Sequence, residues 1–439
     1  MKARLVPLYF DPGRDGDFDT QLGTLKSLLA DHAEFLSPVP LGGPLPEADA
    51  VVFPQLLGEA YRKAGAFRAI GLPKLIVTSE FGTLSMWDWE IAEYLKSEGV
   101  ETIAPYTLDQ TKKVCTALGV KRELQGTKFL VYQDNPGEGF QPAIFKRFYW
   151  WEDECSRRMR EKFGLAVVKK SFRELGAKAK EISDAEADQA LHGRKPAVEG
   201  VSENALRSAA KLYLAVRQDL DRDPSIRGAG INCLNESHFS DTTPCLAWSM
   251  LYEERELIWG CEADTMSMLS KYLLRRPLGV PMMMTNLYPF VLGEAATKHE
   301  RIPGFPQVDG KPENHVLVAH CGYVGLIPAP LATQWTLRPK VLAIVDRNAT
   351  AIDARLATGD VTLAKLHPTM DKISVAEGCL TGYAQFTDSD CLNGGVIRFP
   401  DGHKLMDSLV SHHYLLLVGH HAVDIRMLGK VFGLTIEEI

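Results

Sequence analysis

Two carboxylates sit where a chain of mixed strands and helices places its chemistry. The stretch 228–269 reads GAGINCLNESHFSDTTPCLAWSMLYEERELIWGCEADTMSML. An apolar, strand-like run at 230–234 leads into Asn235, Glu236, Ser237 and His238. A second run at 257–261 leads into Glu262, Ala263 and Asp264. In open α/β sheets the carboxyl ends of the strands form the ligand-binding edge. A carboxylate there stays charged and buried only if it is paired or bound to a metal. Glu236 and Asp264 together suit metal binding and acid–base work. The plainer alternative is that Glu262 or Asp264 caps the following helix, expected at 266–273.

Histidines supply the other donor type. Of 12 in the chain, four fall as the pairs His412–His413 and His420–His421 in SHHYLLLVGHH. The first pair opens a strand. On one reading His413 shares a divalent ion with Glu236 and Asp264; on the other these are surface residues flanking a buried strand. His420 and His421 fit a turn before the last helix. His320, in VLVAHCG, ends an apolar run and reads equally as a core histidine or a site group. Two carboxylates and an imidazole suit Mn²⁺ or Mg²⁺ better than zinc. Such an ion holds adjacent oxygens of a polyol and polarises a carbonyl.

The elements that must position these groups follow from periodicity. Strands are expected at 4–10, 50–53, 74–78 and 101–103, alternating with helices at 20–31, 60–70, 89–97 and 108–118. The pattern restarts near 120–126 with a strand at 127–133. The loop DNPGEGFQP follows, and it lacks both phosphate-binding glycine signatures. A helix at 151–163, a strand at 166–170 and a helix at 205–221 complete a second unit; the charged run 171–188 reads as a solvated face. Beyond Asp264 the chain turns β-rich, with strands expected at 314–321, 342–346, 360–367, 372–381, 395–399 and 413–418. The Met282–Met284 run reads as packing or as a wall of the site. The expected class is α/β: two Rossmann-like doubly wound domains, 1–122 and 123–256, then a β-rich domain, 257–439.

Composition bounds the partners. A net charge of −7 argues against nucleic acid or an anionic membrane. No apolar run approaches the ~20 residues that span a bilayer. The 8 cysteines are scattered without a CxxC pair, as in reduced core thiols of a cytoplasmic protein.

The order of these pieces resembles the L-fucose isomerase and L-arabinose isomerase family. The pieces are Asn235-Glu236-Ser237, Cys261-Glu262-Ala263-Asp264, Ala319-His320-Cys321, Gly359-Asp360-Val361-Thr362-Leu363 and Ser411-His412-His413. The resemblance covers the second half of the chain best and the first half in architecture. It implies a Mn²⁺-dependent aldose–ketose isomerase working through an ene-diol, as a homo-trimer or homo-hexamer with sites at subunit interfaces. Carried over, Glu236, Asp264 and His413 are the metal ligands, and Glu236 and Asp264 also the acid–base pair. Glu262, His320, His412, Trp87 and Arg14 are expected at the sugar; whether His412 or His413 holds the metal, and whether Glu262 replaces one carboxylate, stays open. A non-catalytic sugar-binding protein and a metal-dependent lyase or aldolase are the alternatives.

Overall fold

The structure, a computed structural model, describes the chain except residues 11–12, 56–57, 59, 135–151, 195, 234–238, 290–303, 305–306, 321–322, 341–346 and 387–392. Glu236, the glycine-containing loop at 135–142, Cys321 and the strand expected at 342–346 therefore lie outside the described residues. The protein is a mixed α/β chain with two parallel sheets and a closed antiparallel ring. It divides into two compact units: 1–125 with 273–279 and 423–436, and 126–272 with 280–422 and 437–439.

The first unit is built on a parallel sheet. Its strands are β1 (Ala3–Tyr9), β2 (Ala33–Phe35), β3 (Val39–Pro40), β4 (Ala50–Phe53) and β5 (Lys74–Ile76), in the order β2-β1-β4-β5 with β3 also beside β1. The short apolar runs are buried on both faces, which is why β4 shows no polar alternation. The strand expected at 101–103 is reduced to a single bridge, Leu75 to Ile103. The helix Gly16–Leu28 begins where Asp15 accepts a bond from the Phe18 amide, and it turns Phe18, Leu22 and Leu25 into the core. The helix Leu108–Leu124 runs on through the point where the sequence pattern restarts.

The second unit carries the other two sheets. Parallel strands β6 (Lys128–Tyr132), β7 (Ala166–Lys170), β8 (Ile226–Ile231) and β9 (Ile258–Cys261) lie in the order β7-β6-β8-β9. The order reverses between β6 and β8, the switch point at which such sheets open a crevice beyond their carboxyl ends. The charged run after β7 folds as two helices, Phe172–Glu181 and Asp184–Leu191, the second started by a Ser183–Glu186 capping box. Two glycines allow tight packing beside β9. A Cβ on Gly230 would meet the Ala263 Cα at 2.9 Å, and one on Gly260 would meet the Met268 side chain at 2.6 Å.

Eight further strands pair antiparallel. They are β10 (Met282–Pro289), β11 (His315–Ala319), β12 (Gln334–Pro339), β13 (Thr350–Arg355), β14 (Gly359–Leu366), β15 (Lys372–Ala384), β16 (Gly394–Arg398) and β17 (His413–Val418). β12 and β13 form a separate pair. The other six close on themselves in the order β14-β17-β10-β11-β16-β15, with β15 returning to β14. Closure leaves no free edge among them. Met282, Met283 and Met284 are buried in β10. Among the described residues the cysteines are free thiols, and no helix is long and apolar enough to cross a membrane.

Candidate functional site

The site lies in the second unit and begins at the end of β9. The chain leaves Cys261 through a turn in which Glu262 and Ala263 both hold left-handed backbone, with φ of 52° and 59°. Neither is glycine, so each position costs on the order of 1–2 kcal/mol. Such strain persists only where its surroundings fix it. The Ala263 amide bonds back to the Gly260 carbonyl and the Asp264 amide to the Cys261 carbonyl, which sets the turn. Its effect is to separate the two acids: Glu262 and Asp264 leave the turn for different partners.

Asp264 is fully buried and starts the helix Thr265–Leu278. Its Oδ1 accepts from the Ser267 amide at 2.9 Å, the bond of a helix cap. Its Oδ2 accepts from three donors: Ser267 Oγ at 2.6 Å, Lys365 Nζ at 3.0 Å and His413 Nδ1 at 2.9 Å. Burial pushes the Asp264 carboxyl up. The Lys365 charge, with the His413 and Ser267 bonds, outweighs it and holds the group well below the usual carboxylate range. Burial draws Lys365 below the ordinary lysine range, against the pull of Asp264. His413 is also lowered, first by burial, with Asp264 opposing. Because a carboxylate oxygen only accepts, the Nδ1 facing Asp264 carries a proton, and Nε2 is the other ring nitrogen that could offer a lone pair.

Glu262, His320 and His413 form a group that could hold a metal ion. All three are buried, and each offers a ligand atom within 4.8 Å of the other two. His320 Nε2 lies 3.8 Å from Glu262 Oε1. Two ligands bound to one ion at about 2.1 Å each can stand no more than about 4.2 Å apart, so this pair already fits and the set needs only a small closure. One carboxylate oxygen and two imidazole nitrogens, with open positions, suit Mn²⁺, Fe²⁺, Co²⁺ or Zn²⁺ better than Mg²⁺. The strands explain the convergence. His413 opens β17 opposite Asn286 of β10, and Asn286 is opposite Ala319, the residue before His320.

His412 is half-buried, with its ring centroid 4.3 Å from that of His413. Burial, then its neighbour His413, brings its pKa down to about 3. Arg14 and Trp87 belong to the first unit. Arg14 is solvent-exposed and paired with Asp19, and Trp87 is 72% exposed. Glu236 follows β8, outside the described residues.

Three carboxamides belong beside these groups and were not anticipated. Gln133 and Asn232 follow β6 and β8 directly, in the row that continues to Cys261 and Glu262. Both are buried; among the described residues the Gln133 Oε1 and both polar side-chain atoms of Asn232 have no hydrogen-bond partner. The Asn286 Oδ1 is likewise buried and, among the described residues, without one. Polar groups orphaned in this way ordinarily await a water, an ion or a ligand. The sequence signal was present: a lone amide residue ending an apolar run, in FLVYQ and GAGIN.

No family model matches the chain, and no curated protein matches it. Among solved structures, it has a likeness to a LacI family transcription regulator from Clostridium acetobutylicum at 12% identity, covering 63% of this chain and 93% of that one. The TM-score is 0.15, which carries no argument about fold or function.

Proposed function

We propose that this chain is a metal-dependent aldose–ketose isomerase of the L-fucose and L-arabinose isomerase kind, acting on an unphosphorylated sugar. The buried Glu262–His320–His413 group beyond the end of a parallel strand carries the proposal. The strand order of the two parallel sheets supports the finer architecture, two Rossmann-like domains followed by the β-rich region. Mn²⁺ is the ion proposed, held by Glu262, His320 and His413, with Glu236 as a further carboxylate. When bound, it would grip adjacent sugar oxygens and polarise the carbonyl, easing loss of the neighbouring proton.

The chain's own residues do the rest. Glu236 and Glu262 are the carboxylates proposed to carry the proton between the two reacting carbons. Asp264 suits that task less well, because its Oδ2 already accepts three bonds and Lys365 holds it ionised. The amides of Gln133 and Asn232 offer donors and acceptors to hydroxyl groups, and a neutral hydroxylated ligand matches that lining. Burial excludes water from the proton in transit. In the first unit, Phe81, Met86, Trp87 and Tyr106 are each more than 60% exposed. Exposed apolar side chains of this size are in keeping with contact to another copy, as in a trimer or hexamer.

The test is a panel of aldopentoses and aldohexoses incubated with Mn²⁺ in deuterated water. Ketose formation with solvent deuterium entering at C1 or C2 is expected, and Glu262→Gln should abolish it. Full turnover after removal of all metal, or after Glu262→Gln, would overturn the proposal. Sugar binding without hydrogen exchange would replace it with a binding protein, and carbon–carbon cleavage with a lyase.

A further inference from the structure

The buried cation beside the site has no role in the scheme above. Lys365 lies on β14, in the otherwise uncharged run VTLAKL, and is 1% exposed. Its Nζ bonds Asp264 Oδ2 at 3.0 Å and Ser267 Oγ at 2.5 Å. Stability alone does not explain it, since replacing a buried ion pair by apolar groups of similar size is often neutral or favourable. What the pair does fix is geometry. Asp264 is anchored through both oxygens, Oδ1 by the Ser267 amide and Oδ2 by Lys365 and Ser267. The same Oδ2 receives the His413 Nδ1 proton. An imidazole ring turns easily about its last torsion, so this bond decides which nitrogen meets Glu262 and His320.

We infer that Lys365 is a positioning residue for the metal: through Asp264 it holds the His413 ring with Nε2 turned towards Glu262 and His320. The inference rests on the metal-site reading proposed above. Lys365 has no hydrogen bond to the three candidate ligands among the described residues and acts one link behind them. Partners of this order, which orient a ligating histidine through a carboxylate, typically contribute 10–100-fold in metal affinity. Ser267 belongs to the same device, as it donates to both Asp264 oxygens and accepts from Lys365.

The experiment measures Mn²⁺ binding to the full chain by calorimetry, with the histidine-nitrogen coupling to bound Mn²⁺ read by pulsed electron paramagnetic resonance. Lys365→Met should weaken Mn²⁺ binding about 10–100-fold and reduce the coupling from one histidine. Ser267→Ala should do the same to a smaller degree, and it serves if Lys365→Met does not fold. The double variant Asp264→Leu, Lys365→Met restores apolar packing but should stay weak. Affinity within twofold of the unaltered protein and unchanged coupling in the single variants would overturn the inference alone. Recovery of full affinity in the double variant would do so too, by reducing the pair to a packing role. If the unaltered protein takes up no Mn²⁺, the metal-site reading falls, and this inference with it.

Discussion

Breaking the Asp264–Lys365 pair from one side should be costly, and the cost can be worked from the distances. Two unit charges 3.0 Å apart interact by about 5.5 kcal/mol at an effective dielectric constant near 20. The partners are 0% and 2% exposed at their side chains, so water does not screen the survivor. Lys365→Met leaves a buried carboxylate with Ser267 and His413 as its remaining donors, and losses of about 3–5 kcal/mol are usual for such a change. That is a large share of the roughly 5–15 kcal/mol that holds most domains folded. The assay is urea unfolding followed by tryptophan fluorescence. Trp248 and Trp259, at 0% and 2% exposure, report on the second unit. With a slope near 3 kcal/mol/M the urea midpoint should fall by roughly 1–2 M. Asp264→Asn should fall similarly, and the double variant Asp264→Asn, Lys365→Met should recover at least about 2 kcal/mol over the sum of the singles. A single-variant loss below about 1 kcal/mol, the level of an exposed ion pair, would refute the reasoning, as would simple additivity.

Three further outcomes follow from other parts of the molecule. Mn²⁺ at a hundred times its dissociation constant should stabilise the second unit by about 2.7 kcal/mol; an equal gain in Glu262→Gln would remove Glu262 from the ligand set. Asp219 accepts bonds from Tyr132, Lys170 and Lys178. Burial pushes its carboxyl up, but the bonds from Tyr132 and Lys170 and the lysine charges hold it below the ordinary aspartate value. Its stabilisation is therefore present above pH ~4 and lost as the pH falls through the lower folded value; Asp219→Asn should flatten that acid limb in pH-dependent unfolding, and an unchanged limb would contradict the assignment. Glu256 closes the helix Cys245–Arg255 in a left-handed conformation, φ 53°. Glu256→Gly should raise stability by about 1 kcal/mol, visible as a higher thermal midpoint, and a lower one would show that its side-chain contacts matter more than its backbone.

The sequence was most legible where one physical signal dominated. Fully buried apolar runs gave β4 and the core of β6, and periodicity gave the helix Trp89–Ser97, whereas the run at 230–234 meets only the last two residues of β8, which starts earlier at Ile226. The β12–β13 pair escaped because its residues alternate weakly and carry Gln334, Arg338, Asp353 and Arg355. The helix pair in 172–191 was hidden by charge, although Ser183 and Glu186 spell a capping box. At the site, spacing brought attention to Glu262, Asp264, His320 and His413 but could not apportion their roles. A Cys-Glu-Ala-Asp run has no periodicity that tells which acid faces a ligand. Two consecutive left-handed residues decide it, and nothing local in the sequence announces them. Lys365 was a readable anomaly: a lysine in an apolar strand asks for a buried acid partner.

The division of labour between Glu262 and Asp264 follows from where each stands on the turn. The helix Thr265–Leu278 needs an acceptor at its start, and Asp264 is the residue whose side chain reaches the Ser267 amide. Once committed there it is buried, and a buried carboxylate needs a cation. The ring supplies one from β14, Lys365, and a hydrogen-bond donor from β17, His413. Glu262, two residues earlier and turned away by the left-handed pair, instead meets the Nε2 side of His320. The parallel sheet thus contributes a carboxylate and amides at its carboxyl edge, and the antiparallel ring contributes imidazoles and a counter-charge. Regular elements on both sides bring the Glu262, His320 and His413 side chains together, the arrangement that the proposed metal site would require. A shift in the turn would move Glu262 and Asp264 together, so Gly230 and Gly260, which let the turn pack against β8 and β9, matter to the site without touching it.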